Sequence, residues 1–247
     1  MSAWHWLLIL LAAMLAYYLL YATSFGKGSG SRKRVYLSVA FLSLLYVSWV
    51  FSSVFSMAEQ PELIRALYAS DQSGLAVNTN VGEWLFRWLH MLTGAVTVGG
   101  FCLGLVGRNS EKAYAVGKQF FLWGFAAAAL LGFVYLFTLG DYILPFMRSM
   151  GIWALTVAIV LTAGSLHFFF KRKFVGAATM LFVSIFGMVI TRHYLRMVRL
   201  QEYFEPSSLP VNPQWSVFVV FLICFVLAIG LIWYMLRLFF AGKEART

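Results

Sequence analysis

Seven separate stretches of this chain stay apolar for about twenty residues each, the length an α-helix needs to cross the hydrocarbon core of a bilayer. They fall at roughly 3–23, 35–57, 84–106, 119–140, 151–170, 174–197 and 214–238. Backbone in lipid has no water to bond with and must satisfy its own N–H and C=O groups, so continuous apolar runs of this length are expected to be helices. The expected fold class is all-α: a polytopic membrane helix bundle of seven transmembrane helices, making one transmembrane domain over residues 1–247. Composition agrees, since only 11% of the 247 residues are charged and 62% are hydrophobic, against about 25% charged in soluble domains.

The net charge of +10 would suggest nucleic acid in a soluble chain. In a membrane chain the informative quantity is where the lysines and arginines fall. With the N-terminus outside, the inner segments hold thirteen of the nineteen basic residues, all seven lysines among them, and two acidic ones. The outer segments hold Arg65, Arg87, Arg148, Arg192, Arg196 and Arg199 against seven acidic residues. Positive charge collects on the cytoplasmic side of membrane proteins, so the expected topology is N-out and C-in. The basic residues are explained by topology, and no nucleic-acid partner is expected. The first span is expected to be a retained helix: it lacks the positive start of a secretory signal and its apolar part is longer than a signal's. The lysine and arginine run follows it, in Lys27 to Arg34. The localisation this implies is a bacterial inner membrane.

Several chemistries are excluded. There is no Cys-x-x-Cys-His for covalent haem, no Walker A motif, no Gly-x-Gly-x-x-Gly opening a helix and no His-Glu-x-x-His. Cys102 and Cys224 lie within apolar runs, which argues against a disulfide framework. A retinal Schiff base is excluded because every lysine lies in a loop or at an inner helix end. Among the outer loops, "EQPELIRALYASD" is expected to form a short surface helix starting at Pro61. Residues 198–213 run into "EPSSLPVNPQW", a proline-rich stretch expected to cross the outer face in extended form.

The histidines sort by depth. His90 lies about two turns into the third span, His193 about one turn from the outer end of the sixth, and His5 at the outer start of the first, between Trp4 and Trp6. His167 lies near the inner end of the fifth span. Neutral imidazole is a common haem ligand, and His90 and His193 match in depth, so they are the expected axial pair of a haem b. His5 and His167 are further possible ligands, which leaves the haem number at one or two. The blander reading of His5 is an interfacial side chain, and of His167 a snorkelling one.

Arg192, Arg196 and Arg199 share one helix face, and Arg87 lies one turn outward of His90. Arginine on the side that disfavours positive charge calls for a fixed anion, and its planar fork suits the carboxylates of haem propionates. Pairing with Glu202, Glu205 or lipid phosphate is the duller alternative. Gly94, Gly99 and Gly100 after His90, and Gly187 before His193, would let a porphyrin edge approach backbone, or would simply allow close helix packing. Glu83, placed to pair with Arg87 at i, i+4, and Asp141 stand near the outer rim. They are candidate proton acceptors for quinol oxidation, their alternative roles being a helix start and a helix-end turn.

The segment "RWLHMLTGAVTVGGFCLGL", residues 87–105, resembles a haem-ligating helix of subunit I of the cytochrome bd quinol oxidases. The resemblance covers about twenty residues. It implies haem near the outer surface, and a ligand role for a histidine placed as His5 is. The same stretch is similar to helices of CopD-type copper-handling membrane proteins. The second ligand set and the quinol loop of subunit I are missing, and the chain is shorter. A smaller membrane b-type cytochrome subunit is therefore the expectation, with haem b and a quinone or quinol as cofactors. It would pass electrons between the quinol pool and a partner at the outer face, such as a periplasmic cytochrome c or a larger membrane redox complex. Copper handling and a haem-free membrane anchor are the alternatives.

Overall fold

The computed structural model describes residues 2–26, 29–71, 73–204, 210 and 213–244, and among them all regular structure is helical. The helices are α1 Ala3–Phe25, α2 Gly30–Met57, α3 Pro61–Ser70, α4 Val81–Val106, α5 Glu111–Phe137, α6 Ile143–Arg148, α7 Met150–Phe170, α8 Phe174–Leu200 and α9 Trp215–Glu244. Seven of these (α1, α2, α4, α5, α7, α8 and α9) are long and apolar enough to cross a membrane. The chain is an all-α, multi-pass membrane protein. Its helices run several residues beyond the apolar cores because arginine, lysine and glutamate at a helix end can reach interfacial water. Thus α2 begins at Gly30 and includes Arg32 to Arg34, and α5 begins at Glu111 and includes Lys112 and Lys118. The last outer turn of α5 closes at Phe137, short of the expected 140. A brief 3-10 turn, Gly140–Tyr142, and α6 then lead into α7. The surface helix expected from Pro61 is present as α3. Of the proline-rich stretch, residues 205–209, 211 and 212 lie outside the described residues.

Two units are distinct, Met1–Phe204 and Glu205–Thr247. The second contains α9, whose Trp215 and Phe218 rings meet edge to face at 6.2 Å. Within the first, α1 with α2, α4 with α5 and α7 with α8 each pack as a helical hairpin. The α4/α5 pair is the tightest because glycines remove the side chains that would hold the backbones apart. A Cβ at Gly117 would strike the backbone of Gly104, and one at Gly100 would strike that of Phe121. Close approach of this kind is how helices associate where lipid removes the hydrophobic driving force between them. Gly99, on the other side of α4, faces open space.

Two packed regions bracket the space between the α4/α5 and α7/α8 hairpins. Toward the inner end, Phe101, Tyr114, Phe121, Phe169, Ala177 and Leu181 form a buried cluster. The Tyr114 hydroxyl donates to the Phe169 carbonyl at 2.7 Å. Arg172, in a left-handed turn at φ 56°, covers the Tyr114 ring at 4.4 Å and pairs with Glu111 at 2.6 Å. Toward the outer end, as the charge distribution assigns it, Leu139, Phe146 and Leu195 pack together. The gap between these two clusters becomes the site described below.

Gly117→Val is expected to drive α4 and α5 apart and to cost about 1–3 kcal/mol, the usual penalty for overpacking a close contact. Thermal unfolding in detergent should show a clear drop in midpoint, while Gly99→Val, at a position with open space, should leave it within error.

Candidate functional site

Three helix ends converge at the outer level. Glu59 follows the last turn of α2, Glu83 sits in the first turn of α4 with Arg87 one turn below it, and Arg199 sits in the last turn of α8. A carboxylate at a helix start and a guanidinium at a helix end both complement the helix dipole. All four residues are buried, at 4%, 5%, 6% and 3% exposure respectively.

The two Nη groups of Arg87 donate to the two oxygens of Glu59 at 3.2 Å each, a fork-to-fork pair. Arg199 Nη1 donates to Glu83 Oε1 at 2.6 Å and stands 3.8 Å from Glu59 Oε2. Glu83 also accepts from Asn80 and Gln60 at 3.2 Å each and from Ser56 at 3.5 Å. Arg192, half-exposed, reaches Glu59 only at 3.5 Å and lies over the Phe55 ring at 5.6 Å. The Nε of Arg199 is buried with no partner among the described residues.

This arrangement revises the sequence expectations for the arginines. Arg87 pairs with Glu59 of the α2–α3 turn, not with Glu83 four residues before it on the same helix, because Glu83 is drawn to Arg199. The partners of Arg192 and Arg199 are Glu59 and Glu83, not Glu202, which is exposed; Glu205 lies outside the described residues. Arg196 is exposed, one turn further out than Arg192.

Beneath the cluster opens a cavity of about 450 Å³, within the range of cofactor and ligand sites. Its outer end carries Glu59, Arg87, Arg192 and Tyr135. Its walls are apolar, with Met91, Val98, Phe125, Phe133, Ile159 and Ile185 prominent, and its floor holds the hydroxyls of Thr97, Thr162 and Ser184. The floor hydroxyls are satisfied: Thr97 donates to Thr93, and Thr162 and Ser184 lie 2.6 Å apart and share the Ala158 carbonyl.

His90 lines this cavity. Its Nδ1 lies 2.8 Å from the Ala128 carbonyl of α5. A carbonyl only accepts, so Nδ1 carries a proton and donates; of the two neutral tautomers this selects the one whose lone pair is on Nε2. Gly132, one turn along α5, makes room for the ring: a Cβ there would come within 3.0 Å of His90 Cε1 and Nδ1.

The structure does not bring His193 to His90. The cavity-lining residues of α8, among them Leu181, Ser184, Met188, Arg192 and Leu195, follow the three- and four-residue spacing of one helix face. His193 follows Arg192 by one residue, a rotation of about 100° away from the centre of that face, and it is exposed beside Tyr194. His5 stands apart, its Nδ1 3.1 Å from the Tyr46 hydroxyl and its ring edge-on to Trp49. His167 is exposed at the inner end of α7 beside Phe168. Gly94 lines the cavity with open space at its Cα, whereas Gly187 packs against Ala158 of α7, 3.0 Å from a Cβ placed there. Asp141 is exposed in the turn after α5 and is not part of the cavity wall. Among the described residues no three His, Cys, Asp or Glu side chains cluster as a metal site.

Glu59, Tyr135 and Gly132 belong to the site and were not singled out from sequence. Glu59 had one available signal, as an acid one turn from an apolar span in a chain whose outer arginines needed counter-charges. No protein family, curated protein or solved structure matches the chain.

Removing one member of a buried ion pair strands the other and costs about 3–5 kcal/mol. Arg199→Leu is therefore expected to lower the unfolding midpoint strongly, and Glu83→Gln combined with Arg199→Leu to recover much of the loss. A double-mutant cycle read by thermal unfolding in detergent checks this.

Proposed function

We propose that the chain is the b-type cytochrome subunit of a quinol-linked electron-transfer complex, and that the cavity holds haem b with His90 as an axial ligand. One observation carries the reading. His90 is held by its Nδ1 bond to a backbone carbonyl, and the residue lines an apolar cavity of cofactor size with no hydrogen bond at Nε2 among the described residues. A histidine that ligates a metal commonly donates its other ring nitrogen to such a carbonyl, which sets tautomer and orientation together.

The remaining residues suit the same occupant. Met91, Val98 and Phe133 supply apolar walls, and Gly94 leaves a flat edge room to approach α4. The outer cap, with three arginines against two glutamates, leaves one net positive charge over the cavity. Haem supplies one-electron redox chemistry when bound, and the residues of this chain bind it, orient it and exclude water from it. His90 lies one turn below Arg87, near the outer end as the charge distribution assigns it, which supports a redox partner at that face such as a cytochrome c. Quinol is the proposed electron source, and a bacterial inner membrane the proposed location. Glu83 is occupied by Arg199, Asn80, Gln60 and Ser56, so its part is to anchor the cap; water-facing Asp141 is better placed to take up a released proton.

A second reading has one observation in its favour. Met91 and Met188 line the same cavity as His90, and thioethers with imidazole suit Cu(I). Copper handling would then replace electron transfer.

Purified protein should show a haem b spectrum that changes on reduction, and about one haem per chain by pyridine haemochrome. His90→Ala should abolish it and His193→Ala should leave it intact. Copper in the absence of any haem spectrum would select the second reading, and neither metal would defeat both.

A further inference from the structure

We infer that the outer end of the cavity is a seat for a single carboxylate, built from Arg192 and Tyr135, so that the occupant is an amphipathic acid with its anionic group outward and its flat apolar body beneath. For the occupant proposed above, that group is one haem propionate, and to this extent the inference rests on the haem reading.

The sequence offers four outer arginines to an anion, and the fold withdraws three of them. Arg87 is locked to both oxygens of Glu59, Arg199 to Glu83 at 2.6 Å, and Arg196 does not line the cavity. Arg192 alone lines the cavity while holding only one marginal contact, 3.5 Å to an oxygen of Glu59 that Arg87 already occupies. It therefore carries the excess positive charge of the cluster. Half of its side chain is accessible, so its fork retains donors for a ligand.

Tyr135 supplies the neutral partner. Its ring packs against Leu139, Phe146 and Leu195, and the residue lines the cavity, yet its hydroxyl makes no hydrogen bond among the described residues. A phenol in such a setting ordinarily finds a partner. A guanidinium with open donors and a phenol without an acceptor, at one end of an otherwise apolar cavity, match a carboxylate: the first contributes a charge-assisted bond and the second a neutral one. An uncharged occupant would leave Arg192 with only its 3.5 Å share of Glu59.

The test compares acid with ester in the full chain, held in lipid nanodiscs. Haem b and its dimethyl ester are titrated separately and followed by visible absorbance. Haem b should bind about tenfold tighter or better than the ester, the worth of one charge-assisted hydrogen bond. Arg192→Gln should bring haem b to the ester's affinity and leave the ester unchanged. Tyr135→Phe should weaken haem b by a smaller factor, roughly threefold, and Arg196→Gln, the same change of charge one turn outward, should alter neither. Equal affinity of haem b and ester in the unmodified protein, or equal weakening of both by Arg192→Gln, overturns the seat.

A second arm needs no iron: a fluorescent long-chain fatty acid against its methyl ester. Preference for the acid that depends on Arg192, in protein that binds neither form of haem, would sustain the seat and remove the haem reading. Absence of preference in both arms removes the seat, whatever the fate of the haem.

Discussion

The buried contact between two glutamates, Glu59 and Glu83, and two arginines, Arg87 and Arg199, is the constraint on which the first unit depends. Glu59, Glu83, Arg87 and Arg199 are taken almost wholly out of water. Ions so placed are tolerable only when each finds an opposite charge and further hydrogen bonds. The need to satisfy them fixes where the end of α2, the start of α4 and the end of α8 can stand. The helix dipoles favour the same arrangement, with carboxylate at a helix start and guanidinium at a helix end. Apolar packing alone would leave these helices free to slide in depth, because lipid is as apolar as a leucine side chain and sets no register. The ion cluster sets it.

That register makes the cavity. The α4/α5 and α7/α8 hairpins are each tightly packed, through glycine approach in the first and through Thr162, Ser184 and the Ala158 carbonyl in the second. Between the hairpins, the inner aromatic cluster and the outer ion cluster act as two spacers, and the volume between them stays open. His90 faces that volume because it is tied to α5, across its own hairpin, and Gly132 is the vacancy that lets it turn there. The site is thus a product of helix register as much as of any single side chain.

Much of this was legible in the sequence. The seven spans and the short helix at Pro61 follow from apolar length and proline position. What was not legible depends on rotation about the helix axis and on partners distant in the chain. His193 matches His90 in depth, but depth says nothing of azimuth, and one residue of rotation carries it away from the face that Arg192 and Met188 share. Arg87 has a glutamate at the ideal helical spacing, yet pairs with Glu59, because Glu83 is claimed from 116 residues away by Arg199. Tyr135 and Gly132 sit in an apolar run whose composition gives no sign of which side faces a cavity.

The ion cluster also has a history within each molecule. Arg87 and Glu59 are 28 residues apart and meet as soon as α2 and α4 lie side by side, whereas Glu83 receives its arginine only when α8, far downstream, has been made. During synthesis Glu83 must wait in or near the membrane without its counter-ion, and its bonds to Asn80, Gln60 and Ser56, all supplied by chain already present, shelter it in the interval. α8 supplies both the arginine that completes the charge balance and one wall of the cavity. The biogenesis of this protein therefore has a built-in order: the pocket cannot be finished, or filled, before the sixth span is in place.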